Sequence, residues 1–177
     1  MKKKENRIKT IVISAMLVAL AFVLSNIKIL SMPTGGSVTA FSMLVISLPG
    51  FLYGFPIALI SSIVYGIIQF IYGRYMFSIP QVILDYIFAF GSFSLVGLFK
   101  DRKNGLIIGF TIACVMRFIF STMSGVIFFS DYAPANMNPI IYSVIYNGSY
   151  IFLEMLLSYI IILLPATKKL FDVLKKI

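Results

Sequence analysis

The long uncharged stretches of this chain restrict it to a membrane fold. No charged residue occurs between Ile29 and Gly73, and hydrophobic residues make up 60% of the sequence against 12% for charged residues. A mean hydropathy of +1.00 lies far above the value expected of a water-soluble domain. Because one span takes about 20 apolar residues, the 177 residues have room for roughly six spans and no soluble domain.

Turn-forming and charged residues divide the chain into six predicted helices. Proline and glycine at positions 49, 50, 54 and 56 split the longest uncharged stretch, and residues 100–104 form a charged turn. The helices are predicted over residues 8–25, 38–48, 56–71, 80–99, 106–128 and 140–164. The expected fold is therefore all-α, a polytopic membrane protein with residues 1–177 in a single integral membrane domain.

The positions of the basic residues predict the orientation of the chain. Twelve of the fifteen fall before the uncharged run that starts at Thr10, between the fourth and fifth predicted helices, or after the sixth: Lys2, Lys3, Lys4, Arg7, Lys9, Lys100, Arg102, Lys103, Lys168, Lys169, Lys175 and Lys176. An even number of spans places all three groups on one side, which the positive-inside rule assigns to the cytoplasm. We expect a multi-pass protein of the plasma membrane with both termini cytoplasmic, and we attribute the net charge of +9 to this topology and to anionic lipid rather than to nucleic acid.

The composition also excludes several kinds of site. The chain has no His, no Trp and a single Cys, Cys114, so it has no His ligands for zinc or haem and no partner for a disulfide. We expect neither a metal nor a cofactor. An intramembrane enzyme is poorly supported, because His is absent and no Ser has a credible general base.

Three charged residues lie in the predicted helices at a depth that places them inside the hydrocarbon region: Asp85, Arg117 and Glu154. Such side chains are costly in hydrocarbon and usually face a cavity or a partner. Arg117 and Glu154 fall on neighbouring helices, and mutual neutralisation is the favoured interpretation over a role in ligand binding. Asp85 falls near the outer end of the fourth helix, where a substrate from outside would arrive.

Aromatic and amide side chains gather at the same predicted end as Asp85: Tyr75, Gln81, Tyr86, Phe129, Tyr132, Tyr142, Tyr146 and Asn147. A carboxylate among aromatic faces fits a flat organic cation, through charge attraction and cation–π contact. The alternative is an aromatic belt at the membrane interface, where Tyr is common. Composition alone leaves both interpretations open.

Small residues at Ala15 and Ala19 occupy one face of the first predicted helix. This spacing allows another helix to approach closely. The pattern is common by chance, so packing within the chain is its default explanation.

Three stretches of the sequence resemble a known family. They are Met32–Thr39 (MPTGGSVT); Pro80–Tyr86 (PQVILDY) with Ala89 and Phe90; and Ser124–Phe129 (SGVIFF), which continues through Tyr132–Pro134 to Tyr142 and to Tyr146–Tyr150 (YNGSY). Together with Ala15 and Ala19 they resemble the thiamine-specific substrate-binding (S) components of energy-coupling factor (ECF) transporters. The third stretch is the most specific in its order and spacing.

The resemblance implies six membrane helices with a vitamin pocket near the outer face. It also implies partners, a transmembrane coupling protein and two ATPase subunits, while the S component has no ATPase of its own. Positions matching Tyr75, Asp85, Tyr86, Gly125, Phe129, Tyr142 and Asn147 line the thiamine site in that family, and positions matching Ala15 and Ala19 face the coupling protein. Ser121 stands where the family usually has His, and Ile140 and Phe129 stand where Trp is frequent.

The sequence thus predicts a thiamine-binding subunit whose substrate site includes Ser121 and Tyr132 beside the residues implied by the family. A pyrimidine precursor of thiamine or another vitamin is an alternative ligand. The alternative function is a self-sufficient secondary carrier in which Asp85 or Glu154 couples transport to protons.

Overall fold

The apolar runs form helices joined by short connections in the computed structural model, which describes residues 2–33, 35–73 and 76–176. The helices are α1 (Lys2–Ser25), α2 (Ser42–Tyr53), α3 (Phe55–Gly73), α4 (Ile79–Phe99), α5 (Gly105–Phe128), α6 (Pro139–Leu163) and α7 (Pro165–Lys176). Strands β1 (Lys28–Ser31) and β2 (Ser37–Thr39) pair antiparallel between α1 and α2. A 3₁₀ turn, Ser130–Tyr132, follows α5.

Five of the described helices are long and apolar enough to cross a membrane: α1 from Arg7 to Ser25, α3, α4, α5 and α6. Helix α2 has 12 residues, so it is about 18 Å long, against a hydrocarbon core of about 30 Å. The prediction of six spans is therefore confirmed only in part. Six apolar helices occupy the predicted places, and one of them is shorter than a span.

Helix α2 lies in the interior of the bundle, and its predicted end was wrong. We expected Pro49 and Gly50 to terminate it, but both lie inside the helix and are buried. A Cβ on Gly50 would come within 2.9 Å of the backbone nitrogen of Gly97, so glycine is what allows α4 to approach. The helix ends instead at Gly54, whose φ of 88° suits glycine.

The connection between α1 and α2 is a β-hairpin, which the all-α prediction did not include. Its second strand occupies residues that we had placed at the start of the second helix. Gly35 and Gly36 take φ values of 97° and 77° in the turn, a left-handed conformation that glycine adopts without steric cost. The strands have four and three residues, too short for an alternating pattern to be recognised.

The outside of the bundle is apolar, as expected of a protein in lipid. Ile11 and Met16 on α1, Ile60 on α3 and Ile160 on α6 each expose 60% or more of their surface. A water-soluble monomer rarely presents a continuous apolar surface of this kind. The prediction of a multi-pass membrane protein is confirmed.

The bundle has two chemically different ends. At the end opposite the hairpin, the Lys100 side chain lies against Gly54, and Phe171 of α7 packs against Phe51 with ring centroids 5.7 Å apart. Residues after 165, which we had interpreted as a basic tail, form helix α7 here. We call this the basic end and the other the hairpin end.

Candidate binding cavity

A cavity of about 470 Å³ lies at the hairpin end between α4, α5 and α6. Its size is within the range of small-molecule sites. It is lined by Gln81, Asp85, Tyr86, Phe90, Arg117, Ser121, Gly125, Phe129, Tyr132, Tyr142, Ser143, Tyr146, Asn147 and Tyr150. One carboxylate, one guanidinium and several aromatic rings therefore share a single cavity.

The first turns of α4 orient the Asp85 carboxylate. Ser78 caps the helix, since its hydroxyl accepts a hydrogen bond from the backbone N–H of Gln81 at 3.3 Å. The buried Gln81 amide then donates to Asp85 Oδ2 at 2.7 Å and accepts from the backbone N–H of Phe77 at 3.1 Å. With Oδ2 held in this way, the carboxylate has a fixed direction at the cavity wall.

A π-helical turn in α4, Ile83–Phe88, carries both Asp85 and Tyr86. The wider turn changes the direction of side chains relative to a continuous α-helix, and such turns are frequent at functional sites. Helix α3 packs closely on this turn, because a Cβ on Gly66 would collide with the carbonyl group of Tyr86. The position of the turn therefore depends on a glycine in the neighbouring helix.

Helix α6 contributes an amide, that of Asn147, which makes three hydrogen bonds within the protein. The Asn147 side chain donates to the backbone oxygens of Ser143 at 3.1 Å and Ser121 at 3.3 Å, and it accepts from the Tyr150 hydroxyl at 2.9 Å. The bond to Ser121 joins α6 to α5. Ser143 in turn fits against Gly125, where any side chain would meet it.

Aromatic rings form much of the cavity wall. Tyr146 lies between Tyr142 and Tyr150, at centroid distances of 6.0 Å to each. Phe129 and Tyr132 form another pair at 6.0 Å. Such a wall presents several π-faces, which attract a cation electrostatically.

The predicted pair between Arg117 and Glu154 was wrong. Arg117 lines the cavity, and its guanidinium carbon lies 4.5 Å from the centroid of the Phe90 ring. Glu154 is directed toward the start of α2, where it accepts hydrogen bonds from Thr39, Ser42 and Met43. Among the described residues no salt bridge joins Glu154 to Arg117, and the hydrogen bonds to the start of α2 are what Glu154 makes in its buried position.

The structure brings the sequence-predicted site residues together. All of those that it describes line this one cavity: Asp85, Tyr86, Ser121, Gly125, Phe129, Tyr132, Tyr142 and Asn147. Tyr75 lies outside the described residues. This placement favours a pocket over a belt, while the part of each residue in ligand binding stays a prediction.

Sequence reasoning did not assign Phe90, Arg117, Ser143 or Tyr150 to the site. Ser143 and Tyr150 lie four residues before and three residues after Asn147, and such positions share one face of a helix. That spacing was the signal available for them. Ala15 and Ala19 are exposed on α1, away from the cavity.

Residues 11–172 match the family model described as "Thiamine transporter protein (Thia_YuaJ)". This chain belongs to that family. The thiamine transporter ThiT of Bacillus subtilis (strain 168) is 32% identical over 152 residues, which cover 77% of this chain and 79% of that protein.

A solved structure of another ThiT, from Listeria monocytogenes, has a TM-score of 0.79 to this chain at 27% identity, covering 94% of this chain and 98% of that one. The family resemblance drawn from the three sequence stretches is confirmed. With it, the interpretation of the chain as a transporter rather than an enzyme is confirmed as well.

Proposed function

We propose that this chain is the thiamine-binding S component of an ECF-type transporter and that it captures thiamine in the cavity at the hairpin end. Membership of the thiamine transporter family supports thiamine as the substrate. The observation that carries the proposal is the carboxylate of Asp85, oriented by Gln81 inside a cavity walled by tyrosine and phenylalanine.

The chemistry of the cavity matches that of thiamine. Thiamine joins a permanently cationic thiazolium ring to a flat aminopyrimidine, so it needs one negative charge and aromatic faces. Asp85 supplies the charge, and the rings of Tyr86, Phe129, Tyr142 and Tyr146 supply faces for cation–π and stacking contacts. Ser121 and Asn147 form polar parts of the same wall.

Transport requires partners in this proposal. A transmembrane coupling protein and two ATPases supply the energy, and the exposed Ala15 and Ala19 on α1 form the face on which the coupling protein docks. No cofactor is needed. The basic end faces the cytoplasm together with both termini, in agreement with the positive-inside rule, and residues 1–177 act as one membrane domain of a bacterial plasma membrane.

The proposal is tested by titrating the detergent-purified chain with thiamine and separately with its pyrimidine and thiazole halves. Asp85→Asn keeps the shape of the side chain but removes the charge, so thiamine affinity is expected to fall on the order of ten- to 100-fold, the range of a lost charged hydrogen bond. Asp131→Asn is the matched control, because Asp131 is exposed and does not line the cavity. Equal affinity of the Asp85→Asn and wild-type proteins would remove the charge-matching argument.

The alternative of a proton-coupled carrier makes a different prediction. Uptake of thiamine by the purified chain in vesicles without ATPase partners would favour that carrier over an S component. Glu154 gives it little support, since this carboxylate is bound to the start of α2 and does not line the cavity.

A further inference from the structure

The Glu154 carboxylate is the most heavily bonded charged group among the described residues, and the proposed function does not use it. Oε2 accepts from the backbone N–H and the hydroxyl of Thr39, both at 2.8 Å. Oε1 accepts from the backbone N–H of Met43 at 3.1 Å and lies 3.3 Å from the Ser42 hydroxyl. Only 3% of the residue is exposed, so these donors must replace water.

These bonds fill a gap that the local sequence leaves open. Phe41 occupies the N-cap position of α2 with a left-handed φ of 62°, and its side chain makes no capping bond. A helix N-terminus leaves unpaired N–H groups and favours a negative charge. Glu154 is more than 100 residues later in the chain, and from α6 it supplies both a hydrogen-bond acceptor for these N–H groups and the negative charge.

The same carboxylate also holds the hairpin. Thr39 is the last residue of β2 and pairs with Lys28 on β1. At the other end of the hairpin, a Cβ on Gly35 would lie 2.9 Å from the Tyr146 ring and one on Gly36 would lie 2.5 Å from the Tyr150 ring. Both tyrosines line the cavity, so the hairpin tip rests on the cavity wall while its base is bound to Glu154.

We infer that Glu154 is a positioning residue for ligand retention: by bonding β2 and the start of α2 to α6, it keeps the hairpin seated against Tyr146 and Tyr150. Tyr150 and Glu154 are one helical turn apart on α6, so the two attachments of the hairpin share one rigid support. This role rests on the proposed function, because it concerns the rate at which a ligand leaves the cavity.

The test compares thiamine association and dissociation rates of wild-type, Glu154→Gln and Ser158→Ala proteins by stopped-flow fluorescence or surface plasmon resonance. The amide of Gln cannot serve all four donors, so dissociation is expected to accelerate on the order of tenfold or more, with association changed by less than about threefold. Ser158 is the matched control. It is buried one turn further along the same face of α6, and its removal is expected to leave both rates unchanged. Wild-type dissociation in Glu154→Gln would overturn the inference.

A double variant separates positioning from a general loss of stability. Gly36→Ala strains the turn and pushes the hairpin tip off Tyr150, so it is also expected to accelerate dissociation. If Glu154 acts through the hairpin, Glu154→Gln adds little to Gly36→Ala; multiplication of the two effects would contradict the inference.

Hydrogen exchange of the ligand-free protein distinguishes failure of this inference from failure of the proposed function. Glu154→Gln is expected to lose amide protection at Ser37–Thr39 and at the first turn of α2, with α5 unchanged. If the wild-type chain binds no thiamine, the proposed function fails, but this local loss of protection still supports the attachment of the hairpin to α6 by Glu154. Wild-type amide protection in the hairpin of Glu154→Gln would overturn the inference that Glu154 holds the hairpin, whichever ligand the cavity binds.

Discussion

The close packing of α3 on the π-helical turn of α4 predicts that Gly66→Ala weakens ligand binding from outside the cavity. The alanine Cβ would lie 3.0 Å from the carbonyl carbon of Tyr86, closer still to its oxygen, and 3.4 Å from the Cβ of Phe90. Carbon atoms pack best at about 3.5–4.0 Å. A backbone carbonyl has no rotamer with which to move aside, so the turn that carries Asp85 and Tyr86 must shift.

The size of the effect follows from the cost of overpacking. An extra methyl group in a well-packed interior costs about 1–3 kcal/mol. If the shift of the turn makes the free energy of thiamine binding less favourable by the same amount, thiamine affinity falls about five- to 150-fold. Gly66 does not line the cavity, so no direct contact with the ligand is lost.

The assay is a thiamine titration of the purified Gly66→Ala protein, with Gly91→Ala as the matched control. Gly91 lies in α4, the helix that carries the π-helical turn, but a Cβ there meets nothing within 4 Å, and the thiamine affinity of the Gly91→Ala protein should stay at the wild-type value. Size-exclusion elution and the melting temperature establish that each variant is folded. Wild-type affinity in a folded Gly66→Ala protein would refute the argument that this packing positions Asp85.

Two further predictions concern the cavity wall and the docking face. Gly125→Ala should weaken thiamine binding severalfold, because its methyl group meets the Ser143 hydroxyl, and the double variant with Ser143→Ala should recover most of the loss in the same titration. Ala15→Trp or Ala19→Trp should leave thiamine binding unchanged and impair copurification with the coupling protein; unimpaired copurification would count against that face.

The helix positions could be predicted because prolines and charges mark the limits of apolar runs in a membrane protein. Pro80 and Pro139 lie in the first turns of α4 and α6, as expected for residues that have no N–H to donate there. Pro49 misled the prediction, since α2 continues past this buried proline to Tyr53. The sequence around Pro49 therefore did not predict where α2 ends.

The residues that line the cavity could be predicted only where their type or their helical spacing indicated them. Asp85 stood out because a carboxylate in hydrocarbon needs a reason to be there. The π-helical turn around it packs against Gly66, and no local sequence pattern predicts that turn. The predicted partner of Glu154 was wrong because a sequence shows opposite side-chain charges but not backbone geometry. The backbone N–H groups of Thr39 and Met43 can donate to Glu154 only once the hairpin and α2 have formed.

The buried face of α6 shows why polarity, rather than hydrophobicity, locates the interior of this protein. Ser143, Asn147, Glu154 and Ser158 are all buried on it, while apolar residues such as Ile160 face outward. In lipid an apolar side chain gains nothing by moving inward, but an unpaired polar group costs several kcal/mol outside. The polar stripe must therefore turn toward the other helices, and once there it both forms a wall of the cavity through Asn147 and holds the hairpin through Glu154.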